Sequence, residues 1–284
     1  MSHAPVPSIG MRVFSFPTCR VVHIPATSQT DWSLKNLYDQ SSLDRNWALA
    51  QRLAEISHTL NLKTVYAPSV AHMSAHIITD VSKFGIAIRL NSRVTLYRDF
   101  LAADGVRLEQ DEAFMMSSGG CPIVIASSGE HCIAAHTGLD SLADPARVQS
   151  TGSSRTHDSV IEAIADCFLG KGIALSEVSV AAGLAIPQED FVLHLDQPEF
   201  ADRTRALQAH ITRRWGGSMF TSGIQHHQRV LCVSMEKLIE EQARALGFGS
   251  VQIFGTLDTY SAYTRHPDAN MRTRRNLAIV LRTA

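Results

Sequence analysis

The stretch GGCPIVIASSGEHCIAAHTG, residues 119–138, holds two short apolar runs separated by Ser-Ser-Gly-Glu at 127–130. Runs this short, bounded by turn formers, read as strands, and the turn between them makes an antiparallel hairpin. Neither run alternates with polar residues, so both strands are largely buried, and the chain is built around a covered sheet.

Other segments follow the same grammar. LDRNWALAQRLAEISHTLNL, residues 43–62, repeats apolar residues at helical spacing, with Trp47, Leu49, Leu53, Ile56 and Leu60 assigned to one side. TVYAPSV, HIITDV, GIAIRL and VTLY are β-branched runs and read as strands. A polar loop at 143–158 precedes the helix SVIEAIADCFLGKG, with Asp158 or Thr156 as its expected cap and Gly170 and Gly172 as its end. SEVSVAAGLAIP, VQIFG and NLAIVLRT read as strands, and FADRTRALQAHITRRWGG and VSMEKLIEEQARALGFG as helices closing at glycine. Strands and helices alternate with no long linker or repeat, so the expectation is one domain over 1–284, α/β in class (α+β layered), with mixed sheets flanked by helices.

Charge narrows the partners. Lys+Arg of 26 against Asp+Glu of 27 leaves a net charge of -1, which argues against nucleic acid and for a small neutral or amphoteric substrate. No window approaches the roughly 18 apolar residues of a membrane span. MSHAPVPSIG lacks a basic region followed by an apolar stretch, and five cysteines without a CxxC pair suit a reducing compartment, so a cytoplasmic location is expected.

Cys121 directly follows Ser-Ser-Gly-Gly, a flexible approach that brings its thiol to the start of a strand, whereas Cys132 and Cys167 lie inside apolar runs and read as packing. His136, followed by Thr-Gly, stands at another strand-to-loop junction, and the hairpin brings both junctions to one sheet. His72, in SVAHMSAHIITD, lies just before a β-branched run. His, Cys and His suit a zinc ion with an open coordination position, and Cys121 with His136 equally suits a nucleophile and its base. No HExxH or CxxC signature decides between them. His76, His226 and His227 read as exposed loop histidines.

In order along the chain, the pieces resemble the laccase-domain, or YfiH-like, proteins often labelled polyphenol oxidases. SLKNLYDQSSLDRNWALAQRLAEISHTLNLKTVYAPSVAHMSAHIITD is similar to that family's "slNl … eNRrrla … lglp … QVHGtrVvvvd", with His72 at the motif histidine. CPIVIASSGEHCIAAHTGLDSL is similar to "DClPvlla … vaaaHaGwrGl", with Cys121 and His136 at the other two site positions. SEVSVAAGLAIPQEDFVL resembles "lGPaIgpccfEV", and AYTRHPDANMRTRRNLAIVL resembles "SyRRdg.tGRmaslIwl".

The resemblance implies an α/β fold with layered sheets, shared with the necrotizing-factor toxins. It also implies zinc on His72, Cys121 and His136, and purine nucleoside cleavage by phosphate, with adenosine deamination in some members. Copper chemistry is not expected, since none of the 13 histidines forms the His-x-His pair that multicopper clusters use. The chain departs from the family around the substrate. The early "TRxGG" arginine has no counterpart, "GWRG" reads GLDS with Asp140 where a cation is expected, Pro187 and Gln188 replace the "gpcc" cysteines, and Leu257-Asp258 replaces "CT". Phosphate grip is therefore expected to weaken, with Arg155, Arg265 and Arg275 as the remaining cations for the substrate pocket. Three functions stay open: a zinc enzyme acting on a nucleoside or related heterocycle, a Cys121/His136 hydrolase or transferase for an amide, ester or thioester, and a non-catalytic relative that binds a small molecule or protein.

Overall fold

The structure, a computed structural model, describes residues 10–27, 30–34, 37, 43–68, 75–80, 82, 84, 86–98, 103–257 and 274–283. The first half runs β1 (Arg12–Ser15), β2 (Cys19–Ile24), α1 (Leu43–Thr59), β3 (Thr64–Tyr66), β4 (Ile77–Ile78), β5 (Ile86–Arg89), β6 (Thr95–Arg98), β7 (Gly105–Leu108), β8 (Glu112–Ser118), β9 (Ile123–Ser128) and β10 (His131–His136). The second half runs α2 (Leu139–Leu142), α3 (Pro145–Val148), α4 (Val160–Leu169), β11 (Ser179–Gly183), β12 (Val192–His194), α5 (Pro198–Trp215), β13 (Phe220–Gln225), β14 (Gln228–Val233), α6 (Met235–Leu246), β15 (Ser250–Phe254) and β16 (Asn276–Arg282).

Two large mixed sheets organise these strands. One has the order β1-β2-β16-β8-β3-β6-β5, the other β15-β11-β9-β10-β7-β4, and a small third sheet has the order β12-β14-β13. The 119–138 hairpin is the centre of the second sheet: β9 and β10 pair antiparallel with His136 opposite Ile123, and Gly129 turns the chain at φ 52°.

Side-chain alternation explains why neither hairpin strand carries polar residues between its apolar ones. Ile123, Ile125 and Ala134 point inward and pack against Val21, Phe114, Met116 and Val280 of the first sheet. Val124, Ala126, Ile133 and Ala135 point outward and pack under Ile161 and Ile164 of α4 and Leu238 and Ile239 of α6. On the far side, Leu49, Leu53 and Ile56 of α1 cover Val22, Ile24, Met115 and Ile279. The order is helix, sheet, sheet, helix, the layered mixed architecture expected from the sequence. Each fully buried Val, Leu or Ile in these layers contributes about 1.5–3 kcal/mol.

Two local readings need correction. Trp47 does not join the packed side of α1 but is 76% exposed. It precedes Leu49 by two residues, about 200° around a helix, so the two cannot share a face. The cap of α4 is neither Asp158 nor Thr156: Ser159 accepts a hydrogen bond from the Glu162 amide at 3.2 Å, and Glu162 reaches back to the Asp158 amide at 2.8 Å. Helix α4 ends at Gly170, and α5 and α6 end at Gly216 and Gly247, as the sequence predicts. Among the described residues no helix is long and apolar enough to cross a membrane.

Replacing the cap by Ser159→Ala should cost about 0.5–2 kcal/mol in denaturant unfolding. Thr156→Ala, at an exposed loop position, should stay within about 0.5 kcal/mol.

Candidate functional site

Strand register brings Cys121 and His136 together. The Ser118 hydroxyl, at the end of β8, donates to the Cys121 carbonyl at 3.0 Å and accepts from the Gly120 amide at 3.2 Å, folding Gly119–Cys121 into a tight loop. Gly120 has φ 124°, a conformation that residues with a Cβ rarely adopt. Across the hairpin, the Thr137 amide and hydroxyl both donate to the Pro122 carbonyl, at 3.0 and 2.9 Å. Cys121 and His136 thus sit at the open end of the same strand pair, the thiol half-buried and the imidazole buried.

A third residue completes the row. β7 pairs with β10 on its other side, with Gly105 opposite Ala135, so Asp104 falls beside His136 and its carbonyl accepts the His136 amide at 2.8 Å. The Asp104 carboxylate has no solvent contact. Its Oδ1 lies 3.4 Å from His136 Nδ1 and accepts the Ser141 hydroxyl at 2.8 Å, while Oδ2 accepts the Ala75 amide at 2.8 Å. The other edge of the ring faces the thiol. A Cβ placed on Gly138 would lie 3.0 Å from His136 Cε1, 3.5 Å from Nε2 and 3.7 Å from Cys121 Sγ, so the missing side chain leaves the space where nitrogen and sulfur converge.

Burial by itself pushes the His136 imidazole down, but hydrogen bonds to Asp104 and Cys121, together with the charges of both, outweigh it and hold the ring up to about 9. In the metal-free protein the ring is therefore a cation at neutral pH, between two acidic groups.

The remaining sequence candidates divide. His72 and Arg265 lie outside the described residues. His76 is exposed and lines a surface groove with Arg107 and Cys167, while its carbonyl accepts the Asp104 amide at 2.9 Å. Among the described residues no three His, Cys, Asp or Glu side chains are grouped to hold a metal, so His76 does not complete a set with Cys121 and His136. His226 and His227 form the exposed turn between β13 and β14. Asp140 is bound by Arg203 of α5, whose Nη2 lies 3.0 and 3.3 Å from the two carboxylate oxygens. The Arg155 side chain is almost fully buried, donates to the Asp140 carbonyl at 2.7 Å and lies 3.9 Å from Asp144, so it fixes α2 in place. Arg275 runs beside the Cys121 loop, its Nε 3.3 Å from where a Cβ on Gly119 would stand, and its amide donates to Asp31 at 3.0 Å.

Sequence reasoning missed Asp104, Ser141 and Arg203. Asp104 stands in Ala-Asp-Gly, which reads as a turn, and only the β7–β10 register shows that it lies next to His136.

Asp104→Asn should lower the titration midpoint of His136 in metal-free protein from about 9, followed by the imidazole NMR signals. The same substitution should cost about 1–3 kcal/mol of stability, the range for disturbing a buried polar group. An unchanged midpoint would mean that the carboxylate does not set the state of the ring.

No protein-family model and no curated protein matches the chain. Solved structures do. The Neisseria meningitidis protein NMB0706, DUF152, superposes with a TM-score of 0.58 at 14% identity, covering 96% of this chain and 99% of that one. The Bacillus licheniformis hypothetical protein YfiH gives 0.62 at 12% identity over 96% and 99%, and YlmD from Geobacillus stearothermophilus gives 0.59 at 13% over 94% and 92%. The chain has the fold of these YfiH-like proteins over nearly its whole length.

Proposed function

We propose that the chain is an enzyme in which Cys121 and His136, with His72 as third ligand, hold zinc and act on a nucleoside or a related small heterocycle. The observation that carries this reading is the Asp104–His136–Cys121 row beside Gly138. Histidines that ligate zinc commonly give their other ring nitrogen to a carboxylate, which fixes the ring and raises its basicity. Asp104 stands in that relation to His136, and the ring's other edge meets the Cys121 sulfur beside Gly138. The donors are borderline and soft, as zinc prefers. When bound, zinc would supply a Lewis acid toward a substrate oxygen or a water.

The protein's own residues have separable parts in this reading. Asp104 orients His136, Ser141 and the Ala75 amide hold Asp104, and Gly138 spares the ring the crowding that a side chain would bring. Arg275 brings positive charge to the rim beside Gly119. Arg155 and Arg203 are engaged with the α2 segment, so neither stands ready to grip a phosphate with both arms of its guanidinium. Hydrolysis or deamination of a nucleoside fits this shell better than phosphorolysis.

A second reading draws on the same row: carboxylate, imidazole and thiol in this order also suit a Cys121 nucleophile with His136 as its base, the protonated ring being the form that has taken the thiol proton, acting on an amide, ester or thioester. The state of the thiol separates the two. Purified protein should contain about one zinc per chain, lost in Cys121→Ala and in His136→Ala, and Cys121 should alkylate at least about tenfold faster after chelation. Rapid alkylation of metal-free protein as isolated would favour the nucleophile, and full metal retention in both variants would end the zinc assignment.

Adenosine and inosine turnover, followed with and without inorganic phosphate, should change less than about threefold on adding phosphate, less than the tenfold that 1.4 kcal/mol of transition-state binding would give. Strong phosphate-dependent release of free base would contradict this reading of the arginines.

A further inference from the structure

A cavity of about 430 Å³ lies between the first turns of α5, strand β12 and the start of α2. That volume is within the range of small-molecule sites. Leu139, Val192, Leu193 and Leu207 form its apolar wall, with Phe200 projecting 46% exposed at the side, and Gln197 and Thr204 add polar groups. A large aromatic ring left in water at the edge of a cavity is a surface waiting for contact. The His194 ring stands 6.5 Å from it, tilted by 40°, so two rings flank the cavity. Leu139, which lines the cavity, directly follows Gly138, the residue facing His136 and Cys121.

The electrostatics of the mouth limit what can enter. Arg203 lines it, and its charge is offset by Asp140 through Nη2. The guanidinium is about half exposed, and a fork with five donors keeps hydrogen atoms to give after one nitrogen has bound a carboxylate. A ligand carboxylate would have to compete with Asp140 for this cation, and a ligand amine would face Arg203 itself. A neutral acceptor, such as an amide or ring carbonyl, suffers neither cost and still receives a hydrogen bond.

We propose that this cavity is a binding site for a neutral aromatic ring carrying a carbonyl or amide acceptor, with the ring beside Phe200 and the acceptor at Arg203. The site is the ring subsite of a substrate that extends past Leu139 toward Cys121 and His136. That extension rests on the function proposed above, while the binding of the ring does not.

Benzamide is the probe, titrated into the purified full-length protein and followed by ligand-observed NMR, with benzoate and benzylamine as charged comparators. Saturable benzamide binding is expected, weakened at least about fivefold in Phe200→Ala and in Arg203→Met and retained in Cys121→Ala, with both charged comparators binding more weakly. Phe200 and Arg203 are both partly exposed, so these variants should fold, and unchanged thermal unfolding confirms it. Absence of saturable binding, tighter binding of benzoate, or binding indifferent to both substitutions overturns the proposal. Loss of binding in Cys121→Ala alone places the ring at the thiol instead, which also overturns it. Failure of the zinc reading shows in the metal content and leaves the benzamide result untouched.

Discussion

A carboxylate without solvent contact is stable only where fixed donors surround it, and the candidate site is arranged around that requirement at Asp104. The donors come from two stretches far apart in sequence: the amide of Ala75, and the ring of His136 together with the hydroxyl of Ser141. The backbone of Asp104 adds two more ties, to His76 and to His136. Moving any of these segments would leave a buried charge short of a partner, at a cost of several kcal/mol. The loop before β4, the end of β10 and helix α2 are therefore held in one arrangement, and the edge of His136 that faces Cys121 is a consequence of it.

The layers supply the rigidity. A hairpin packed on both faces, with Ile123 and Ile125 toward one sheet and Val124 and Ala126 toward the helices, cannot slip by one residue without turning both sets the wrong way. The register that pairs His136 with Ile123 is thereby fixed, and with it the position of the ring relative to the Cys121 loop. Chemistry at the end of such strands gains a scaffold that moves little, while the loops around it vary. Asp140 illustrates this: its carboxylate, where the resembled family's motif has a cation, is bound by Arg203 from α5, and the hairpin beside it keeps its register.

Much of this was legible in the sequence where one physical period dominates. The hairpin, the helices ending at Gly170, Gly216 and Gly247, and the junction positions of Cys121 and His136 follow from short apolar runs, helical spacing and turn residues. Trp47 is apolar but stands at the wrong angle for the packed side of α1, so residue type alone misplaces it. β7 and β8 carry no clear strand period, because GVRLEQDEAFMMSS mixes charge with apolar residues and only pairing with β10 and β16 makes strands of it. Asp104 was invisible for the same reason: its role depends on a neighbour 32 residues away. The cavity beside Phe200 depends on α5 meeting β12 and α2, which no local pattern encodes.

In the proposed function Cys121 and His136 act on one shared centre, oriented by Asp104. X-ray absorption at the zinc edge of the purified protein tests this directly. It should show a shell with one sulfur at about 2.3 Å and nitrogen at about 2.0–2.1 Å, with the sulfur component absent in Cys121→Ala. A protein without zinc, or a shell of nitrogen and oxygen that Cys121→Ala leaves unchanged, would contradict it.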